Sequence, residues 1–368
     1  MFINNWRFWL GLGVSAALLL ILVYQVDLEE VVAALGEANY LYVAPAIALY
    51  FLAVYFRAVR WRYLLSPLRA FRVGRLYPVV VIGYMANNLL PARLGELVRS
   101  YYLAQREQFS ASATLATVVV ERVYDGITLL AAAAVAGPVL LLLGEFDGAS
   151  DLSRTTAGVL AGLMVALFLG VLGFLTLLGA SPRFQAFIQW GLGAFPARLR
   201  PRARELVRTF VQGLGILNSP RRHLGLFLLS LPVWLLEGAM YVLIMYSFGI
   251  DDHFGSLGVL VLVGVLLTAT SNLATALPTS VGGIGPFEVV AQQTLVALGV
   301  GASVAATYAG FLHLVALWLP VNLAGLVLMW KHSLSWRSVL GGRRSPSAAV
   351  AGYSGPSAER PRIEEDQP

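Results

Sequence analysis

Hydrophobic residues make up 58% of this 368-residue chain, charged residues make up only 12%, and the mean hydropathy is +0.73. Soluble domains carry about twice that share of charge, so the composition excludes an ordinary soluble protein and predicts a polytopic membrane protein. The absence of cysteine excludes disulfides, thiolate metal sites and cysteine nucleophiles. The net charge of +6 comes from arginines between apolar segments, a placement that argues against nucleic-acid binding.

Six apolar stretches are close to the ~20 residues that cross a bilayer. They predict full transmembrane helices at 8–24, 40–56, 114–143, 157–179, 224–248 and 304–330. Two further apolar segments, 77–104 and 257–300, are interrupted near their middle. We expect a membrane domain over 1–335 and a disordered cytoplasmic tail over 336–368, where Gly, Ser, Pro and charge dominate.

Shorter amphipathic stretches lie between these segments. Residues 27–38 predict a helix along the outer interface. Residues 196–216 predict either a basic helix on the cytoplasmic surface, attracted to anionic lipid, or a solvated loop.

The charges of the connections predict how the chain is oriented. Connections 57–76 and 181–223 and the end of the last span are rich in arginine, so the positive-inside rule puts them in the cytoplasm. The acidic connections 25–39, 144–156 and 249–256 then lie outside. We therefore expect a protein of the cell membrane with both termini in the cytoplasm.

This orientation leaves the two interrupted segments without a net crossing. Segment 77–104 enters from and returns to the cytoplasm, and segment 257–300 does the same from outside. The predicted fold is thus all-α, with six full spans plus two re-entrant helical hairpins. Halves 1–143 and 157–330 share the order span, span, hairpin, span in opposite directions, which is an inverted repeat. The rival interpretation makes each half-helix a full span.

The two breaks have corresponding sequences, NNLLPARLGE at 87–96 and NLATALPTSVGGIGPFE at 272–288. Each passes from an apolar helix through Asn and Leu-Pro to a new helix that carries Glu. Paired interruptions in two halves indicate the central site of a transporter built from inverted repeats. The pattern therefore favours a carrier over an enzyme.

These breaks, together with ERVYDG at 121–126, resemble the flippase-like transmembrane family named after the lysylphosphatidylglycerol synthase transmembrane region. The resemblance covers nearly all of 1–330. It implies translocation of a lipid across the cytoplasmic membrane, with two re-entrant elements lining a central cavity. No stretch can supply the aminoacyltransferase module of the bifunctional synthase. We accordingly expect no enzyme activity and, as a partner, a separate lipid-modifying synthase.

The first break carries the strongest phosphate-binding candidates. Arg93, Glu96 and Arg99 are spaced i, i+3, i+6 and share one helical face. A guanidinium matches two oxygens of a phosphodiester at once, so Arg93 and Arg99 are predicted to hold a lipid phosphate while Glu96 orients one of them or contacts a headgroup amine. Alternatively, Glu96 only neutralises the two arginines.

The following span begins with a second charged group. Arg122 and Asp125 can pair, whereas Glu121 and Asp125 repel unless one is protonated or bridged. Their excess negative charge could pair with an arginine of the first break. The alternative is a snorkelling cluster at the cytoplasmic interface.

The second break is rich in glycine, at Gly282, Gly283 and Gly285, and a helix restarts immediately afterwards. A helix N-terminus at membrane depth presents free N–H groups to an anion. Glu288 is either a cap of this helix or a ligand for substrate or protons. The asparagines at the breaks, Asn87, Asn88 and Asn272, complete the predicted substrate-binding set.

Glu237 lies in the middle of span 224–248 with no charge within four residues. An isolated carboxylate at this depth is a candidate proton site, or a neutral acid hydrogen-bonded to another helix. The four histidines are scattered, so we expect no metal and no cofactor. His313 is interpreted as a packed, hydrogen-bonded residue, and a proton carrier is the alternative.

The leading hypothesis is a lipid flippase that binds an anionic phospholipid or polyprenyl-phosphate-linked lipid. No phosphate loop of an ATPase is present in the sequence, so transport is either downhill or coupled to protons. One alternative is a membrane glycosyltransferase using a polyprenyl-phosphate sugar, with acids Asp27, Glu29 and Glu30 in its first external loop. The other is a non-catalytic membrane partner protein. The sequence does not predict an oligomeric state.

Overall fold

The structure is a computed structural model that describes residues 26–90, 94–146, 169–194, 199–275 and 281–331, with isolated positions in 13–24 and 162–166 and at 196. All regular secondary structure in these residues is helical. The α-helices are α1 (Leu28–Glu37), α2 (Val43–Leu65), α3 (Val73–Leu89), α4 (Gly95–Glu107), α5 (Ala111–Leu142), α6 (Leu169–Ala180), α7 (Pro182–Gly191), α8 (Arg200–Gly213), α9 (Pro220–Ser247), α10 (Leu257–Ala274), α11 (Pro286–Val296), α12 (Ala302–Phe311) and α13 (Leu319–Lys331). A π-helical segment, Leu312–Trp318, joins α12 to α13.

Within the described residues, five helical stretches are long and apolar enough to cross a bilayer, and they are Tyr40–Leu65, Ala111–Leu142, Pro220–Ser247, Leu257–Ala274 and Ala302–Lys331. The pair α6 and α7, bent by 97°, makes a sixth if it is one span. The prediction of an all-α polytopic membrane protein is confirmed. Residues 8–12 and positions 14, 21 and 23 of the predicted span 8–24, most of the first part of span 157–179 and the tail 336–368 lie outside the described residues.

The first interrupted segment forms two helices that fold back on one another. A Cβ on Gly95 would lie 2.2 Å from the carbonyl oxygen of Gly83 and 2.4 Å from the backbone nitrogen of Asn87. Only glycine permits this contact between α3 and α4. With 17 and 13 residues, the arms are about 25 and 20 Å long, short of the ~30 Å hydrocarbon core.

The second interrupted segment also forms a helical hairpin. Arms α10 and α11 pack together, and the hydroxyls of Thr270 and Thr294 lie 3.1 Å apart. The 11 residues of α11 reach only about 16 Å, but the 18 residues of α10 meet the length and hydropathy of a full span. The depth to which either hairpin enters the membrane therefore remains a prediction.

The helices of the two predicted halves make reciprocal contacts. Helix α2 packs against α9, its counterpart in the second half. Helix α5 packs on the first arm of the second hairpin, and α13 packs on the first arm of the first hairpin. Two halves related by a twofold axis would make such exchanged contacts, which supports the predicted inverted repeat.

One predicted boundary is wrong in a way that matters for the site. The span predicted to end at residue 56 continues as α2 to Leu65, so Arg57 and Arg60 are not in a cytoplasmic loop. Both are buried in the helix, Arg60 completely. The positive-inside rule treats each arginine as unpaired, whereas acids on α5 and α9 neutralise these two.

The two amphipathic stretches contain helices at about the predicted residues. Helix α1 begins after Asp27, whose Oδ1 accepts a 2.8 Å hydrogen bond from the Glu29 amide. The basic stretch predicted at 196–216 contains α8, where Arg208 and Glu205 form an exposed pair at 2.7 Å.

Candidate functional site

A cavity of about 360 Å³ lies where the two hairpins meet α2, α5, α9 and the π-helical segment. Its wall includes eight of the residues predicted from sequence, namely Asn87, Asn88, Glu96, Arg122, Asp125, Glu237, Asn272 and Gly282. The breaks approach each other here, because a Cβ on Gly282 would lie 3.3 Å from the carbonyl oxygen of Asn88. Gly282 has a φ of 70°, which favours glycine. The predicted meeting of the two breaks is therefore observed.

On one side of the cavity Arg57 pairs with Glu237, and both side chains are almost fully buried. Arg57 Nη1 also donates a 2.8 Å hydrogen bond to the Tyr84 hydroxyl. Its guanidinium lies 4.6 Å from the centre of the Trp234 ring, within the range of cation–π attraction. The expectation that Glu237 is an isolated carboxylate is wrong, since its partner comes from α2. A role in proton binding stays a prediction.

Glu121, Arg122 and Asp125, the charged motif of α5, lie on the other side of the cavity. Glu121 Oε2 and Oε1 accept from Arg99 Nη2 and Nη1 at 2.5 and 3.1 Å. Arg60 lies 2.7 Å from Asp125 and 3.3 Å from Glu121. Arg122 lies 3.1 Å from each of the same two acids. Arginines therefore bridge Glu121 and Asp125. Such bridging is one of the two conditions under which these acids are predicted not to repel each other.

Charges balance within this network. Among the described residues it contains four arginines and four carboxylates, which are Arg57, Arg60, Arg99 and Arg122 with Glu96, Glu121, Asp125 and Glu237. Removing one member of a buried ion pair costs about 3–5 kcal/mol, because it leaves an uncompensated charge. The network therefore holds α2, α4, α5 and α9 in one arrangement around the cavity.

Arg122 is the arginine of this network that is most accessible from the cavity. Its side chain is 30% exposed, whereas those of the other three are at most 5% exposed. Glu96 lies 3.5 Å from Arg122 Nε, which is the longest ion-pair contact of the network. This pair is the part of the network that a ligand can enter with the least disruption.

Several polar atoms of the cavity wall have no hydrogen-bond partner among the described residues. They include Asn87 Oδ1, Arg122 Nε and Trp318 Nε1. Buried polar groups are nearly always satisfied by protein, water or ligand. These three atoms are themselves buried, so they are unsatisfied polar groups beside the cavity.

The second break supplies a separate polar pair. His313 Nδ1 lies 2.6 Å from Glu288 Oε1, and the amide of Gly285 donates a 2.7 Å hydrogen bond to Glu288 Oε2. The Phe287 ring stacks on the imidazole with centroids 4.2 Å apart. Glu288 thus caps α11, as one of its two predicted roles required, and it also holds a histidine of the cavity wall.

Several residues predicted to bind the substrate do not line the cavity. Arg99 does not face the cavity, since its guanidinium is bonded to Glu121 and lies 3.8 Å from the centre of the Trp61 ring. A direct contact of Arg99 with a lipid phosphate is therefore wrong. Glu121, Gly283, Gly285 and Glu288 lie behind the wall rather than in it. Arg93 falls outside the described residues.

Sequence reasoning missed other residues of the wall, including Tyr50, Arg57, Tyr84, Trp234 and Trp318. Arg57 carried a usable signal, because it is followed by further helix-forming apolar residues up to Leu65. The aromatic residues carried none, since tyrosine and tryptophan are common throughout membrane helices. Within the described part of the chain, no three His, Asp or Glu side chains converge in a metal-binding group.

Comparison with known proteins gives one family and several relatives. A family model described as "Lysylphosphatidylglycerol synthase TM region" matches residues 8–324, which confirms the resemblance of the motifs. Glycosyltransferase AglD of Haloferax volcanii is 30% identical over 313 residues, covering 78% of this chain but only 48% of AglD. This chain therefore spans about half the length of that relative.

Two archaeal relatives match along most of their own length. A UPF0104 membrane protein of Methanothermobacter thermautotrophicus is 27% identical over 84% of this chain and 90% of its own. One of Pyrococcus horikoshii is 24% identical over 87% and 96%. No solved structure matches this chain at a significant level.

Proposed function

Because this chain belongs to the lysylphosphatidylglycerol synthase transmembrane region family, we propose that it is a lipid transporter that moves a phosphate-bearing lipid between the leaflets of the cell membrane. The single observation that carries the proposal is the charged cavity between two helical breaks. Ionisable groups are rare within membrane spans and mark the paths of polar substrates.

The size and lining of the cavity suit a lipid headgroup. About 360 Å³ lies at the lower end of small-ligand sites, so a headgroup fits while its acyl chains stay in the bilayer. The wall offers charged side chains beside the aromatic rings of Tyr84, Trp234 and Trp318. This mixture of polar and apolar surface matches the junction between a phosphate and its glycerol or prenyl chain.

Arg122 is the residue we assign to the phosphate. Its guanidinium can accept a bidentate phosphate, and Glu96 is held only loosely at 3.5 Å. A phosphate oxygen that displaces Glu96 frees this carboxylate for a headgroup amine or water. Asn87 and Trp318 line the same cavity, and we assign them to the same headgroup.

The direction of insertion follows from the charges of the connections. Acidic outer and basic inner segments give a protein of the cell membrane with cytoplasmic termini. The substrate is supplied by a lipid-modifying enzyme that is a separate protein. Energy comes from the lipid gradient or from protons.

Purified protein in liposomes, assayed with a panel of fluorescent lipids, tests this proposal. The panel contains phosphate-bearing lipids of both anionic and zwitterionic headgroups and, as a control, a neutral lipid without phosphate. We expect translocation of at least one phosphate-bearing lipid above the empty-liposome rate, with loss in Arg122→Gln. The exposed residue Arg208 provides a matched control, Arg208→Gln, that keeps the rate. Translocation at the empty-liposome rate across the panel would refute the proposal.

A second candidate function is supported by one relative, because the protein named glycosyltransferase AglD is 30% identical. In that case a polyprenyl-phosphate sugar would occupy the cavity, and acids near α1 would act on the acceptor. Asp27, Glu29 and Glu30 are the candidates, and Asp27 also caps α1. Their joint replacement by Ala abolishes sugar transfer if this function is correct, and it leaves lipid translocation nearly unchanged if transport is.

A further inference from the structure

The imidazole of His313 occupies an unusual position in the cavity wall. It is 94% buried, its carboxylate partner Glu288 is 97% buried, and its ring is stacked on Phe287. Glu288 is fixed in turn by the backbone amide of Gly285. Two neighbours on the second hairpin, Glu288 and Phe287, thus orient the imidazole, and Gly285 fixes Glu288.

Hydrogen bonding determines the tautomer. A carboxylate can only accept, so Nδ1 of His313 carries the proton given to Glu288 Oε1 at 2.6 Å. The other ring nitrogen, Nε2, has no hydrogen-bond partner among the described residues, and His313 lines the cavity. In the neutral ring Nε2 is a proton acceptor.

The backbone at His313 is also special. Residues Leu312–Trp318 form a π-helical segment within an otherwise α-helical span. Such segments are rare and are found frequently at functional sites. This one contains His313, Leu317 and Trp318, which all line the cavity.

The other acids of the cavity are engaged differently. Glu237 is held by Arg57, and Asp125 is held by Arg60 and Arg122. In the described chain no arginine or lysine forms an ion pair with Glu288 or His313. The pair is therefore the cavity group whose charge can change without breaking an arginine contact.

We propose that His313 Nε2 is the proton-binding site of the transport cycle and that Glu288 is its positioning residue. This inference rests on the proposed lipid transport and deepens it by naming the coupling ion. When the cavity is open to one side, Nε2 takes one proton from water and the ring becomes imidazolium. When the cavity is open to the other side, the same proton returns to water. No other bond forms or breaks.

Charge balance gives the physical reason for coupling. The arginine and carboxylate charges of the described network cancel, and the Glu288 carboxylate adds one negative charge beside them. A phosphodiester brings a second negative charge into the cavity. One proton on His313 offsets one of these two charges, which lowers the cost of holding both in low-dielectric surroundings. Glu288 from α11 is hydrogen-bonded to His313. The other titratable and charged side chains that line the cavity are Tyr50 and Arg57 from α2, Tyr84 from α3, Glu96 from α4, Arg122 and Asp125 from α5, and Glu237 from α9. Tyr241 from α9 contacts the Phe287 ring that stacks on His313.

The test is the steady-state distribution of a fluorescent phosphate-bearing lipid between the leaflets of proteoliposomes under an imposed pH gradient. If one proton moves with each lipid, the leaflet ratio shifts about tenfold per pH unit, since one unit corresponds to a tenfold activity ratio of protons. A steady-state ratio does not depend on the amount of active protein. The lipid is the one that moves in the panel assay.

Two substitutions locate the proton. In His313→Asn the side-chain amide can still donate to Glu288 but cannot take up a proton, so we expect the ratio to stay near one. The matched control is His253→Asn, because His253 contacts the Leu298 carbonyl outside the cavity and should keep the tenfold shift. His313→Gln serves if His313→Asn does not purify as a folded, monodisperse protein.

Each outcome decides the inference. A wild-type shift that is lost at residue 313 and kept at residue 253 supports it. An equal shift in His313→Asn and wild type assigns the proton elsewhere and overturns it. Wild-type transport with no response to the gradient overturns the coupling and leaves lipid transport standing. Absence of any lipid movement refutes the proposed function, and the inference fails with it.

Discussion

The buried pair of Arg57 and Glu237 permits a quantitative test of how the helices around the cavity are held together. Each partner is less than 5% exposed, and they join α2 to α9 across 180 residues of sequence. Replacing Glu237 by Met leaves Arg57 buried without its carboxylate. We expect a loss of about 3 kcal/mol in the free energy of unfolding, the lower end for breaking such a pair, because Tyr84 and Trp234 still contact the guanidinium.

Replacing Arg57 by Met should destabilise the protein more than replacing Glu237 does. It leaves Glu237 unpaired and also removes the Tyr84 hydrogen bond and the Trp234 contact, so we expect about 5 kcal/mol. In the double variant no charge is left unpaired, and only the Tyr84 and Trp234 contacts are missing, each worth about 1 kcal/mol. The double variant should therefore lose about 2 kcal/mol, and the coupling energy should be about 6 kcal/mol.

The assay is reversible unfolding in mixed micelles by a denaturing detergent, followed by far-ultraviolet circular dichroism. The exposed pair Arg208 and Glu205 is the matched control, and its single and double Met variants should unfold like the wild type. If the losses of Arg57→Met and Glu237→Met simply add in the double variant, to within about 0.5 kcal/mol, the two residues do not form the buried pair described above.

Two further predictions concern the first hairpin and the network. Gly95→Ala places a Cβ 2.2 Å from the Gly83 carbonyl oxygen and should prevent folding, measured as loss of the monodisperse peak in size exclusion, whereas Gly74→Ala meets no atom within 4 Å and should be tolerated. A folded Gly95→Ala protein with unchanged stability would show that the arms are not in this contact. Arg99→Gln should lower the melting temperature more than Arg122→Gln does, because Arg99 is buried against Glu121 while Arg122 is 30% exposed. Arg122→Gln should in turn lower lipid translocation more than Arg99→Gln does. The reverse order of either effect would contradict the assignment of Arg122 to the substrate.

Much of the fold could be read from local sequence properties. Apolar length predicts where helices cross, and Leu-Pro and glycine predict where they break. The close approach of Asn88 and Gly282 follows from the same reasoning, because paired breaks in two halves are expected to meet at one central site. The charged motif of α5 was recognised because acids in an apolar stretch stand out.

The pairings of the charges could not be predicted. Glu237 looks isolated in sequence because its partner Arg57 lies 180 residues away. Arg99 looks like a phosphate ligand until α5 brings Glu121 within 2.5 Å of it. Both errors have one cause: the sequence gives the cost of a buried charge but not which other helix offsets it. The π-helical segment around His313 was missed because hydropathy does not distinguish it from an α-helix.

The central claim is that the cavity between the two breaks binds the phosphate of a lipid headgroup, and thiol protection tests it most directly. The natural chain has no cysteine, so Asn88→Cys introduces a single thiol into the cavity wall. We predict that a charged, water-soluble thiol reagent labels this cysteine in the folded, detergent-solubilised protein, and that a short-chain phosphate-bearing lipid slows the labelling while its phosphate-free analogue does not. A cysteine that stays unlabelled, or that is labelled equally fast with both lipids, would contradict the claim.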